Sequence, residues 1–195
     1  MESLTLSGIV NDIEAAAACA LTQTNVSKIH IAGMSFGGGL SAFWASMTQK
    51  TVCSVVMFAP VIDYEEDIVG QHGLLSNQTL NEHAQRSLQE QGYLETDGVR
   101  YGAALINELR YISGVEGIRR LRCDSLIVHG DADSIVPYAS SERFVKLNPR
   151  ARLVNIAGTD HGFGVGDDED LSSPQTKAKH KEVYRLASDF LERTV

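Results

Sequence analysis

The sequence has 195 residues, 43% of them apolar and 22% charged, which is ordinary for a globular chain and enough for one domain with a substantial core. A formal charge of −8 without any basic stripe argues against nucleic acid and anionic membrane surfaces as partners. Cys19, Cys53 and Cys123 are odd in number, lack C-x-x-C spacing and sit in apolar patterns, so they read as core thiols of a reducing compartment.

No apolar run approaches the ~18 residues of a membrane span. The N-terminus lacks the basic start and apolar centre of a signal peptide, and a cytoplasmic location is expected. Leu4, Leu6, Ile9, Val10, Ile13, Ala16, Ala17, Ala20 and Leu21 recur at three-and-four spacing and predict an amphipathic helix that ends within residues 22–25 and lies on one face of a sheet. Directly after it, Ile29-His30-Ile31-Ala32 predicts a strand buried on both faces.

The strand meets Gly33-Met34-Ser35-Phe36-Gly37, and Gly38, Gly39, Leu40, Phe43, Trp44 and Met47 open a second helix. A strand that reverses into a helix within one tight turn forces the central residue into a strained conformation, and the flanking glycines leave room for the crossing backbone. Ser35 would then stand above the C-terminal edge of the sheet beside the positive end of the following helix, which makes it a candidate nucleophile. The spacing matches neither G-x-x-x-x-G-K-[ST] nor G-x-G-x-x-G, and no nucleotide cofactor is implied.

Residues 51–58, TVCSVVMF, form a nearly continuous apolar run, as in a strand buried on both faces of a parallel sheet, and Ala59-Pro60 stops it. From 61 to 121 the chain turns polar and glycine-punctuated, with its best helical patterns at 79–91 and 103–112. That is too long for a plain crossover and is expected to be a lid or binding element. Tyr64, Tyr93, Tyr101 and Tyr111 are its candidate lining residues. A buried strand at 125–129, a helix to about 147, a strand at 152–156 and a last helix over 176–193 complete an alternating α/β pattern with a parallel sheet. The expected organisation is one domain over 1–195, with core segments 1–60 and 122–195 and the insertion between them.

Acyl transfer by serine needs a base to take its proton and a carboxylate to orient that base. Asp133 and His161 each fall in a loop just after a buried strand, on the sheet edge expected to carry Ser35. Asp131 is a rival acid, and Asp63, after the second strand, is another. Asp160 is expected to shape the turn at His161 through side-chain to backbone bonds. His30, His129 and His180 lie in strands or on a helix and read as packed or solvent-facing, while His72 and His83 lie in the insertion. No histidine has metal-ligand spacing with Cys or Glu, so no metal is expected.

The segments Gly33-Met34-Ser35-Phe36-Gly37, His129-Gly130-Asp131-Ala132-Asp133-Ser134-Ile135-Val136-Pro137 and Asp160-His161-Gly162-Phe163 resemble the α/β-hydrolase family, in particular its lid-bearing esterase and serine-aminopeptidase-like branch. The resemblance spans essentially the whole chain. It implies a three-layer α/β/α parallel sheet with a helical lid, Ser35 as nucleophile, Asp133 as orienting acid, His161 as base and the Phe36 backbone N–H as an oxyanion donor. Met34, Tyr64 and Tyr111 are the candidates for substrate contact. The implied activity is cleavage of a carboxylic ester of a small or medium acyl group, and an acyl-peptidase or thioesterase would use the same triad.

The chain departs from the family in one respect. Relatives of this kind have about eight strands with the nucleophile turn after the fifth, whereas here it follows the first, so the fold is expected to lack roughly its N-terminal third. The loop that donates a second oxyanion N–H belongs to that part, and losing one such donor costs about 10²- to 10³-fold in turnover. The strand at residues 29–32 would present an open apolar edge, expected to be covered by a second copy in a homodimer or by an N-terminal segment. An impaired homologue acting through interaction is the alternative that this departure leaves open.

Overall fold

The computed structural model describes residues 2–23 and 26–194. The chain opens with α1 (Leu6–Gln23), passes through β1 (Ile29–Met34) and α2 (Phe36–Met47) to β2 (Val52–Phe58), and then leaves the sheet. The insertion holds a π-turn (Glu66–Gly70), a hairpin of β3 (Leu75–Ser76) and β4 (Thr79–Leu80), α3 (Glu82–Gln91), a second hairpin of β5 (Tyr93–Thr96) and β6 (Val99–Gly102), α4 (Ala103–Glu108) and α5 (Gly114–Arg120). The chain returns as β7 (Asp124–Gly130), α6 (Tyr138–Phe144), β8 (Ala151–Ile156) and α7 (Pro174–Arg193).

The sheet order is β1-β2-β7-β8, all parallel, so every strand delivers its C-terminal residue to one edge. Alternation sorts the side chains. Val55, Met57 and Ile127 face Ala42 of α2, Ile118 of α5 and Phe144 of α6. Val56, Leu126, Val128 and Ile156 face Val183, Ala187 and Phe190 of α7. Helices on both faces make three layers of the α/β-hydrolase type. The α5 helix lies almost backbone-to-backbone on α2, because a Cβ at Gly117 would stand 2.5 Å from Phe43 N.

The insertion links adjacent strands β2 and β7, and its apolar side chains make a core of their own with α1 and α2. Leu6, Leu40, Tyr64, Val69, Leu94 and Leu105 are buried in it. Two hairpins in it were not foreseen. Their turns have left-handed φ at both central residues, Asn77 and Gln78 in one and Asp97 and Gly98 in the other, the geometry that matches the twist of a two-residue hairpin. The helix expected at 79–91 therefore starts only at Glu82, where the Asn81 side chain accepts the Ala84 N–H at 2.9 Å, and the one expected at 103–112 stops at Glu108.

Three expectations need correction. The α1 helix rests mainly on α2 and only lightly on β1 of the sheet, and Trp44 Nε1–H of α2 donates to its Glu14. Its expected end also fell on Thr24 and Asn25, which lie outside the described residues. The β1 strand is not buried on both faces, because it is an edge strand of the sheet. His30, Ala32 and Met34 are exposed, while Ile29 and Ile31 are half-buried. Beside it an open groove of about 330 Å³ runs against α1, lined by Ile13, Ala16, Ala17, Ala20, Ile29 and Ala32. Finally, Cys19 is exposed on α1 rather than in the core. Among the described residues no helix is long and apolar enough to cross a membrane.

Candidate active site

The turn after β1 is built by close backbone crossing. A Cβ at Gly33 would stand 2.4 Å from Gly37 O and 2.5 Å from Ser41 Oγ, so only glycine fits there. Gly37 has open space where a Cβ would go, and its part in the crossing is its carbonyl. Between them Ser35 takes φ 49° and ψ −122°, a left-handed backbone that a side chain rarely adopts. The conformation is held from outside. Ser35 N–H donates to Phe58 O at 2.9 Å, and Ser35 O accepts from Gly38 N at 3.0 Å and Val61 N at 2.9 Å. Phe36 is the first residue of α2, so its N–H has no carbonyl one turn earlier to bond and stands at the positive end of the helix.

The ends of β7 and β8 bring the other groups to Ser35. His161 Nε2 lies 2.8 Å from Ser35 Oγ, and His161 Nδ1 lies 2.8 Å from Asp133 Oδ2. A carboxylate can only accept, so Nδ1 carries the proton, and Nε2 is left to accept from the serine hydroxyl. The loop that carries His161 is braced by Asp160, whose Oδ1 accepts the Gly162 and Gly164 N–H groups at 2.9 and 2.6 Å. Phe163 anchors it, buried and edge-on to Phe58.

The Asp133 side chain is fully buried with every lone pair engaged. Its Oδ1 accepts the N–H groups of Ile135 and Val136, both at 2.9 Å, and its Oδ2 accepts from His161 Nδ1 at 2.8 Å and His129 Nε2 at 3.0 Å. Burial pushes the carboxyl up, but hydrogen bonds from His129, His161, Val136 and Ile135 outweigh it and hold the group well below the ordinary carboxylate range.

The rival acids are placed elsewhere. Asp131 binds Asn155 Nδ2 at 2.8 Å and the Gly158 N–H at 2.6 Å, and these bonds keep its carboxyl below its usual value on the exposed side of the loop. Asp63 accepts from the Glu66 N–H in the insertion and lies 3.9 Å from Arg143. Neither bonds His161.

The substrate-contact candidates divide. Met34 is 45% exposed beside Ser35. Tyr64 is 1% exposed, stands edge-on to Phe36 and donates its hydroxyl to Phe36 O, so it is a core residue with no face for a ligand. Tyr111 is 80% exposed on the rim of a 430 Å³ cavity within the insertion, lined also by Val69, Leu80, Ile106 and Leu109, which none of Ser35, Asp133 and His161 lines. Tyr93 stacks under Arg100 and Tyr101 packs into the insertion's core. Sequence reasoning set His129 aside as packed or solvent-facing, although its place at the end of a buried strand, four residues before Asp133, was the signal that would have found it.

The sequence profile of the prolyl oligopeptidase family matches residues 7–193. The chain belongs to that family. No curated protein sequence matches it. Among solved structures it is similar to Est1E from Butyrivibrio proteoclasticus with ferulic acid bound, at TM-score 0.68 and 23% identity, over 96% of this chain and 71% of that one. It is also similar to α/β hydrolase domain-containing protein 10 from mouse, at TM-score 0.72 and 16% identity, over 100% and 72% of the two chains. A carboxylesterase of Nitrososphaera gargenis matches at TM-score 0.61 and 18% identity, over 100% and 74%. The prolyl oligopeptidase family match and the fold make this chain a serine hydrolase of the α/β-hydrolase superfamily.

Proposed function

We propose that the protein cleaves carboxylic esters of small or medium acyl groups through an acyl-enzyme on Ser35. The observation that carries this reading is the hydrogen-bonded series Ser35 Oγ, His161, Asp133, with both links at 2.8 Å and the serine in a strained turn. Ser35 Oγ attacks the acyl carbon as its proton passes to His161 Nε2. The carbonyl oxygen gains a negative charge that the Phe36 N–H stabilises. Asp133 holds the imidazolium, which then protonates the departing alkoxide, and water repeats the sequence in reverse to release the acid. A passive acyl wall beside Ser35 is assigned to Met34, from its exposed place on the strand end.

Likeness in fold to Est1E, whose structure holds ferulic acid, supports an ester. The prolyl oligopeptidase match favours a second reading, in which the same series opens an acyl-peptide bond. The experiment compares short p-nitrophenyl esters with aminoacyl p-nitroanilides, alongside fluorophosphonate labelling. Ester turnover and labelling that both vanish in Ser35→Ala, with the thermal melt unchanged, are expected. Anilide turnover exceeding ester turnover would replace the ester reading, and labelling without turnover of either would mark the site as impaired.

A further inference from the structure

We propose that His129 is a positioning residue for the triad, competing with His161 for one oxygen of Asp133 and thereby setting how strongly the carboxylate holds the base. The inference rests on the triad reading above and deepens it.

The His129 ring is completely buried. Its Nε2 stands 3.0 Å from Asp133 Oδ2 and 3.0 Å from Val136 O, two atoms that can only accept, so this nitrogen must carry a proton shared between them. On the opposite side Nδ1 lies 2.7 Å from Ser141 Oγ, which lies on α6, and Tyr138 of the same helix sits edge-on to the ring with centroids 5.7 Å apart. The groups facing His129 are therefore Asp133, Val136 O, the Ser141 hydroxyl and the Tyr138 ring, with His161 reached through Oδ2.

Two functions follow from that position. Without a donor at this point, Asp133 Oδ2 and Val136 O would face each other in a site closed to water, so the carboxylate would keep its aim at His161 less steadily and the plateau would fall. Each donor also lowers the charge density that an oxygen offers to the other. The Oδ2 atom shared by His129 and His161 binds the imidazolium of His161 less strongly than an oxygen given to His161 alone. Ser141 takes part, because a hydroxyl donating into Nδ1 makes the Nε2–H a stronger donor.

The test is the pH profile of kcat/KM for p-nitrophenyl acetate, which reports the free enzyme's base. In His129→Leu the acid limb should move up by about half a pH unit or more and the plateau should fall about tenfold. His129→Gln, whose amide keeps a donor, should restore both in large part. Ser141→Ala should move the limb in the same direction by less, and it decides the matter if His129→Leu fails to fold. Unmoved limbs in the folded variants would overturn the proposal, because a merely structural residue changes the melt and not the limb. Failure of the triad reading itself would look different: wild type would then show neither fluorophosphonate labelling nor ester turnover.

Discussion

Replacing Asp133 by Asn separates the orienting acid from its rivals with one atom changed. The two backbone N–H groups of Ile135 and Val136 point at Oδ1, so the Asn carbonyl must take that place, which aims the amide NH₂ at His161 Nδ1 and His129 Nε2. His129 can turn its proton wholly to Val136 O, already 3.0 Å away. His161 can satisfy the new donor only by becoming an acceptor at Nδ1, which moves its proton to Nε2, facing Ser35. A base protonated toward its nucleophile cannot deprotonate it. The expected loss is about 10⁴-fold in kcat, or ~5 kcal/mol of transition-state stabilisation. Asp131→Asn meets no such conflict, since its carbonyl keeps the Gly158 N–H and the Asn155 amide can flip to accept, so turnover should change by no more than a few-fold. Stopped-time assays with p-nitrophenyl butyrate, beside thermal melts of each variant, measure both. Equal losses at the two positions, or an Asp133→Asn variant within tenfold of wild type, would refute the assignment.

The two glycines of the serine turn should behave oppositely: Gly33→Ala should lose about 2 kcal/mol or more in urea unfolding because its methyl meets backbone, whereas Gly37→Ala, with open space, should be neutral or slightly stabilising. Asp67 is pushed up to about 6, first by burial and then by Asp63 and Glu66. Because its folded value lies above its unfolded one, the folded state keeps a proton that the unfolded state has released between about pH 4 and 6, and stability falls as pH rises through that window. Asp67→Asn should therefore be more stable than wild type at pH 7, by on the order of 1 kcal/mol once partial exposure is allowed for, with the gap closing below pH 4. Parallel stability curves for the two proteins would count against it. The β1 edge, unpaired in the sheet among the described residues, and the groove beside it should be covered by a second copy of the chain or by an N-terminal segment, and the 195-residue chain alone is expected to sediment as a dimer at low micromolar concentration. A stable monomer with full ester turnover would contradict this.

The core strands and the residues at their ends were readable because a parallel sheet buries whole strands and sends all their C-terminal ends to one edge. Ser35, Asp133 and His161 each follow a strand, so chain order placed them on one edge, while the choice of Asp133 over Asp131 and Asp63 came from the resemblance to the α/β-hydrolase family. The insertion was harder, since its burial is decided by contacts that no local pattern encodes. Tyr64, in a polar stretch, reads as a residue lining the substrate side of the insertion. It is core because Gly39 leaves its hydroxyl room to reach Phe36 O, a Cβ there lying 2.7 Å from that hydroxyl. The Asp97-Gly98 pair was a hairpin signal visible in the sequence, while Asn77-Gln78 is a weaker one. The edge strand misled for a different reason: apolar side chains state what a strand prefers, not whether a layer extends far enough to cover it.

The root of the insertion is fastened to the serine turn rather than to the sheet alone. Val61 N–H donates to Ser35 O, Tyr64 donates to Phe36 O, and on the return Gly114 passes so near Ile62 that a Cβ would stand 2.7 Å from its carbonyl. A specificity segment from a relative should for that reason be grafted between Tyr64 and Gly114, leaving both splice residues native. Cutting at Pro60, where the strand visibly ends, would exchange Tyr64 and its bond to Phe36 O along with the lid, and such a chimaera would disturb the turn beside Ser35 before its new selectivity could be read.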